Sequence, residues 1–285
     1  MEPTETAPRT HLPLAELTAA VARACLDRLA DPAALADETV VHENRVATKR
    51  LRAAWRLVAD HAGRSVARAR RTALTELSGK LSGARDLTVL TRLAQHLAAA
   101  QTDGRLAMAL DHVVAALIQR HDLAIQAARS DDALLHEIRE AWTAEIAAWE
   151  ALDPAHPHAL RRAIRHELRR SLRRARRDTR QATRSLDAEL WHDWRKTVKR
   201  LRYQREFIAA SQGRAPGKFD ARIHRLGSRL GERNDLANLI AFADRLLADG
   251  ALTPADYNAT RQAIAAAETA IIRHCRRLGR ATLLR

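Results

Sequence analysis

Cysteine is nearly missing from this chain. The two present, Cys25 and Cys275, lie far apart and form no CxxC pair, which excludes a disulfide framework and points to a reducing compartment, the cytoplasm. Aromatic residues make up only 4% of the sequence, too few to interleave with basic residues as base-stacking platforms for single-stranded nucleic acid. No apolar stretch approaches the roughly twenty residues that a membrane span needs, because charges interrupt every segment. Strand-length alternation is absent as well. No HExxH, P-loop, GxSxG or metal-spaced Cys/His cluster occurs, and His156-Pro157-His158 has no evident carboxylate partner. A non-enzymatic protein with no cofactor and no metal is therefore expected. The opening residues MEPTETAPRTHLPL lack the basic start and apolar core of a secretory signal and read as a short disordered lead over residues 1–11.

What the sequence has in abundance is alanine, leucine and arginine. Apolar residues make up 46% of its 285 positions and recur at helical spacing, as in Leu14, Leu17, Val21, Ala24, Cys25 and Leu29, which predicts an all-α protein of about ten helices. Breaks are expected near Asp31-Pro32, Gly63, Gly83, Gly104, Ser130 to Asp132, Gly213 to Gly217, Gly231 and Gly250 to Pro254. The Pro/His-rich segment 152–158 is the strongest linker signal, and it separates a first helical half, 12–151, from a second, 159–285.

The halves repeat one another. Residues 42–52 read HENRVATKRLR and residues 192–202 read HDWRKTVKRLR, in identical register. Lys80-Leu81 with Asp86-Leu87 is matched by Arg229-Leu230 with Asp235-Leu236, one residue out of step. Such a repeat predicts an internal duplication, two helical bundles related by pseudo-two-fold symmetry.

On a helical wheel His42, Arg45, Lys49 and Arg52 form one cationic stripe, with Val40, Ala47, Leu51, Trp55 and Val58 behind it. His192, Arg195, Lys199 and Arg202 repeat the stripe, backed by Leu190, Trp194, Leu201 and Ile208. Arg50 and Arg200 fall on the flanks. Four cations on one face repel each other and add nothing to packing, so the arrangement implies a bound anion. The stripe is roughly 15 Å long at 1.5 Å per residue, longer than a single phosphate ester and suited to an extended chain. Arginine offers a planar fork for phosphate oxygens, lysine a point charge, and histidine a donor that strengthens when protonated. Of 49 basic residues only five are lysine, yet Lys49 and Lys199 occupy matched positions, which marks a contact that a guanidinium would overfill. Arg56, Lys80, Lys196 and Arg229 complete the candidate set within the repeated segments.

The net charge is +15, enough to attract acidic partners, and it is unevenly spread. Residues 159–205 hold 17 Arg/Lys against 5 Asp/Glu, whereas 86–158 hold 5 against 11. The run LRRAIRHELRRSLRRARR is basic nearly all round, and Arg165, Arg169, Arg173 and Arg176 are expected to reach the same anion. Asp86 and Asp235 each follow an expected break and are read as N-caps, with a Mg²⁺-dependent phosphohydrolase role as the weaker alternative.

The duplicated His-x-x-Arg-x-x-x-Lys-Arg-Leu-Arg motif and the later (Lys/Arg)-Leu…Asp-Leu element resemble those of the CHAD family, the conserved histidine α-helical domains, over about residues 12 to 280. The resemblance implies that the two halves together make one CHAD domain. It further implies a basic cleft where they meet, binding of inorganic polyphosphate, and localisation to polyphosphate granules. His42, Arg45, Lys49, Arg50 and Arg52, with His192, Arg195, Lys199, Arg200 and Arg202, carry the motif. The ExExK element of the triphosphate tunnel domain to which many relatives are fused does not occur, which argues against triphosphatase activity. The motif surroundings differ between Ser82-Gly83-Ala84-Arg85 and Gly231-Glu232-Arg233-Asn234, leaving Arg85 and Arg233 without assigned roles. The alternatives are a nucleic-acid backbone binder, with Trp191 flanking the site, and an adaptor that recruits a protein partner through the acidic region 86–158.

Overall fold

A computed structural model describes residues 13–129, 131–152 and 156–284; the expected lead, and residues 153–155 of the expected linker, lie outside them. Among the described residues the chain forms helices and no strands, with eleven α-helices and one 3-10 turn, Ala34–Ala36. In order the helices are α1 (Leu14–Asp27), α2 (Glu38–Leu57), α3 (Ala59–Ala62), α4 (Arg64–Lys80), α5 (Gly83–Ala99), α6 (Gly104–Arg129), α7 (Asp132–Glu150), α8 (Pro157–Ala182), α9 (Ala188–Ser211), α10 (Lys218–Ala248) and α11 (Pro254–Leu283). No helix among the described residues is long and apolar enough to cross a membrane.

The two motif helices begin with the same device. Asp37 accepts from the backbone N–H groups of Thr39 and Val40 at 2.7 and 3.3 Å, and Asp187 accepts from Glu189 and Leu190 at 2.8 and 3.0 Å. Each aspartate satisfies two of the four donors that a helix start leaves open, and each stands five residues before the motif histidine. Gly63, at φ +91°, makes the turn that returns α4 alongside α2. The expected break at Gly231 does not occur, because α10 runs straight through it. An isolated helical glycine costs only about 1 kcal/mol relative to alanine, which the buried leucines Leu226, Leu230 and Leu236 around it outweigh. The first half does break, at Leu81–Ser82, between α4 and α5.

One bundle packs behind α2 and another behind α9. The first packs α1, α2, α4 and α7 around Leu51, Trp55, Leu57, Trp142 and Trp149, and Phe207 of α9 reaches into it. Glu145 is buried there, accepting from the indole N–H groups of Trp55 (2.6 Å) and Trp149 (2.8 Å) and from Arg70 (2.9 and 3.1 Å). Those four hydrogen bonds offset the burial that pushes its carboxyl pKa up. The second bundle packs α8 and α9 against the first part of α10 and the last part of α11, around Trp191, Trp194, Val198 and Leu230. A third core joins α5 and α6 to the remaining parts of α10 and α11 through Leu110, Leu117, Leu239 and Phe242. It is possible because α10, at 31 residues, is about 46 Å long at 1.5 Å per residue and passes through both cores.

Trp194 lies directly behind the second motif and is fully buried. It fits because residue 279 of α11 has no side chain: a Cβ there would lie 2.5 Å from Cζ2 and 2.9 Å from Cη2 of the indole. Helix propensity alone predicts that Gly279→Ala stabilises the protein by about 1 kcal/mol. Steric overlap predicts a loss of about 1–3 kcal/mol. We expect the loss to win and the thermal midpoint to fall, read by circular dichroism; a higher midpoint would show that the Trp194 pocket can yield.

Candidate functional site: a cationic groove between the motif helices

The motif helices α2 and α9 cross face to face. Gln204 of α9 reaches the Ala53 carbonyl of α2 at 3.5 Å, and the Arg50 guanidinium lies 5.2 Å from the Phe207 ring centre. The crossing brings the two stripes together along an open groove of about 400 Å³, lined by Lys49, Arg52 and Arg56 from one helix and His192, Arg195, Lys196, Lys199 and Arg200 from the other. Burial pushes the Lys49 ammonium down to about 8, helped by Arg45 and Arg195. Lys199 is pushed to about 8 by burial, by Arg195 and by Lys49 itself. Neither lysine is ion-paired among the described residues, and Arg195 disfavours the charged form of both.

Arginines continue the groove on either side. Burial depresses the Arg56 pKa to about 10, with further contributions from Arg200 and Arg71, and Arg52, Arg71 and Arg200 are depressed for the same first reason. One buried carboxylate, Glu167 of α8, attracts Arg56, Arg71 and Arg200, pairs with Arg170 at 2.5 Å and accepts from Gln204 at 3.3 Å. Asp178 of α8 adds a second carboxylate near Arg200 and pairs with Arg174 and Arg177, so arginines still outnumber carboxylates here.

Asp86 and Asp235 are counter-ions, and the N-cap reading is corrected. Asp235 stands in the interior of continuous α10, where no helix start exists to cap. Asp86 lies in the first turn of α5, past its start, and binds the Arg45 guanidinium at 2.8 and 3.1 Å. Arg45 also donates to the Leu81 carbonyl at 3.1 Å, so it stitches together the break between α4 and α5 and is committed to that task. In the second half Asp235 faces Arg195 and Lys199, and burial still pushes its pKa up.

The histidines stand at the rim. Arg85 donates to Nδ1 of His42 at 3.3 Å, and burial together with Arg85 and Lys49 lowers the His42 pKa. His192 Nδ1 lies 3.3 Å from the Asn234 side-chain oxygen. Arg233 faces elsewhere, paired with Glu268 at 3.1 Å and stacked on Trp191 at 4.8 Å. Trp191 is itself buried, with its N–H on the Ser185 carbonyl at 3.0 Å, so it does not flank the groove.

Several expected contacts fall outside. Lys80 pairs with Glu137, Arg229 with Glu232 at 2.6 Å, and Arg202 with Glu206 at 2.6 Å; Lys196, at the rim, pairs with Asp193 at 3.3 Å. Arg165, Arg169 and Arg173 are exposed on the outside of α8, and Arg176 donates to the Leu283 carbonyl at 3.0 Å. The reason is the angular position of the buried side. Ala163, Glu167, Ser171, Ala175 and Asp178 turn inward, which carries the four predicted arginines to the opposite face at roughly 100° per residue. It is Arg170 and Arg174, through Glu167 and Asp178, that flank the groove. Arg71, Glu167, Arg170 and Arg174 escaped the sequence analysis, because α4 and α8 are brought beside the α2–α9 groove only by tertiary packing. Among the described residues no group of three or more His, Cys, Asp and Glu is placed to hold a metal. Cys25 and Cys275 are buried thiols, pushed up to about 12 by that burial.

A family model described as CHAD domain matches residues 20–246. Among solved structures, the crystal structure of the CHAD domain from the plant Ricinus communis aligns with a TM-score of 0.54 and 21% identity, covering 93% of this chain and 98% of that one. PptA from Streptomyces chartreusis aligns with a TM-score of 0.60 and 18% identity, covering 96% of this chain and all of that one. These likenesses show the fold. A search of curated proteins finds no match.

Desolvated, mutually repelling lysines weaken the folded state. Because both folded pKa values, about 8, lie below the ordinary lysine value of 10.5, the unfolded chain binds more protons between those limits. The ligand-free protein should therefore gain stability as pH rises from about 8 to about 10.5. Replacing both with methionine (Lys49→Met, Lys199→Met) should remove that pH dependence. It should also raise the thermal midpoint at pH 7, by roughly 2–4 °C for each kcal/mol relieved.

Proposed function

The chain belongs to the CHAD domain family, and on that premise we propose that it binds inorganic polyphosphate in the α2–α9 groove, without turning it over. The observation that carries the reading is the pair Lys49 and Lys199, two ammonium groups in an open groove, both depressed by burial and by Arg195. Such an arrangement opposes folding and is relieved when an anion enters. An anion of many closely spaced charges relieves it best, because Arg52, Arg56, Arg195 and Arg200 extend the same demand along the groove. Guanidiniums would grip pairs of phosphate oxygens while the two lysines supply compact point charges. Bound polyphosphate would draw the protein onto polyphosphate granules in the cytoplasm.

Nucleic acid is the competing ligand, since its backbone carries the same phosphoryl chemistry. The aromatic lining the groove is Tyr203, which is only 6% exposed and offers little face for a base to stack on. That favours a ligand with phosphates and no bases.

Titration of the purified protein with long-chain polyphosphate, and with single-stranded and duplex DNA of matched charge at physiological salt, tests the reading. Polyphosphate should bind much more tightly and should survive incubation with Mg²⁺ at unchanged chain length. Alanine at Lys49 and Lys199 should cost on the order of tenfold in affinity per lysine. Arginine at both positions should also weaken binding, by overfilling them. Equal affinities that collapse together as salt rises would leave only a generic basic surface.

The pH profile follows from the same groups. A bound anion favours the ammonium form, so affinity should hold below about pH 7 and fall as pH rises through 8 toward 10. Because burial and Arg85 lower the His42 pKa from 6.5, any further gain from protonating His42 should be complete only below that value. A profile flat from pH 7 to 10 would remove the lysines from the site.

A further inference from the structure

At the other edge of the second bundle, the C-terminal ends of α8 and α11 converge on a recess of about 770 Å³. Six arginines line it: Arg180 and Arg184 from α8 and the turn after it, and Arg273, Arg276, Arg277 and Arg280 from α11. No aspartate or glutamate lines it. Among the described residues, none of the six is ion-paired with a carboxylate. Arg276 donates to the Ser185 carbonyl at 3.2 Å, but its Nε is buried without a partner. The two helix C-termini that meet here contribute roughly −0.5 charge each, about −1 against six positive charges.

We infer that this recess is a second seat for a phosphoryl chain, separate from the α2–α9 groove, and that the protein is therefore bivalent toward polyphosphate. The identity of the ligand rests on the preceding reading; the existence of an anion site does not. Guanidinium forks suit paired phosphate oxygens, and the lining is Arg, Thr, Ala and Leu with no aromatic ring for a base. The recess also has an approach. Arg165, Arg169, Arg173 and Arg180 share the outer face of α8 and are all exposed. From the first to the last is about 22 Å at 1.5 Å per residue, a length that suits a linear ligand and exceeds a single phosphate. The outward arginines of α8, which take no part in the first groove, thus lead into the second site. None of the residues lining the recess lines that groove.

Calorimetric titration with tripolyphosphate, too short to occupy both places, separates the sites. The wild-type protein should bind two equivalents, Lys49→Ala with Lys199→Ala one, and Arg277→Gln with Arg280→Gln one. The glutamine positions are exposed, and the ligand-free melting curve of that variant, expected unchanged or higher, excludes a folding defect. Long-chain polyphosphate should cross-link the wild-type protein, seen as light scattering at equimolar charge, and should cross-link neither variant. One equivalent in the wild type, weakened by both variants, would mean a single continuous site and overturn bivalency. Two equivalents unaffected by the glutamine changes would overturn the recess as a seat. If those changes abolished duplex DNA binding and left tripolyphosphate untouched, the recess would belong to nucleic acid. Loss of the polyphosphate reading has a different signature, the lysine variant binding as the wild type does.

Discussion

Lys49 and Lys199 are half-buried on two helices that cross, and Arg195 acts on the charge of both. Much of the surrounding structure can be understood as what makes that repulsion tolerable. The crossing is fixed from behind by large buried rings: Trp55 stacked on Trp149 at 4.0 Å, Phe207 inserted from α9 into the first bundle, and Trp194 seated against the bare backbone of Gly279. Burial of such side chains contributes roughly 1.5–3 kcal/mol each, enough to hold cations where electrostatics would separate them.

Partial compensation is the second element. Asp86 is bound by Arg45, Asp235 faces Arg195 and Lys199, and Glu167 serves Arg56, Arg71, Arg170 and Arg200. Full neutralisation would leave nothing for a ligand to do, and no compensation would leave a cluster that folding could not overcome. None of the three carboxylates lines the groove, whose lining carries Lys49, Lys199 and their neighbouring arginines. There a multivalent anion gains most from displacing water, since interactions between partly buried charges are less screened than those on the surface.

The α8 helix illustrates how one basic run serves two purposes. Its inner flank, through Glu167, Arg170 and Arg174, supports the groove, while its outer face carries exposed arginines toward the recess shared with α11. A helix basic nearly all round looks redundant as a string of letters. In three dimensions its two sides face different surroundings.

Much was legible without coordinates. The apolar spacing determined an all-helical chain, and the paired motifs determined which faces of α2 and α9 would be cationic, because side-chain direction on a helix follows from residue number alone. The matched lysines fall on those faces, and both line the groove. Other features required the tertiary structure. The continuity of α10 through Gly231, the pairing of Arg45 with Asp86 and the withdrawal of Trp191 from the surface all depend on residues remote in the chain. So do the retirement of Lys80, Arg202 and Arg229 into ion pairs and the rotation of Arg165, Arg169 and Arg173 away from the groove. Local periodicity says which residues share a face of a helix. Only packing between helices decides which face is buried, which carboxylate each cation meets, and therefore which cations keep an unsatisfied charge to offer.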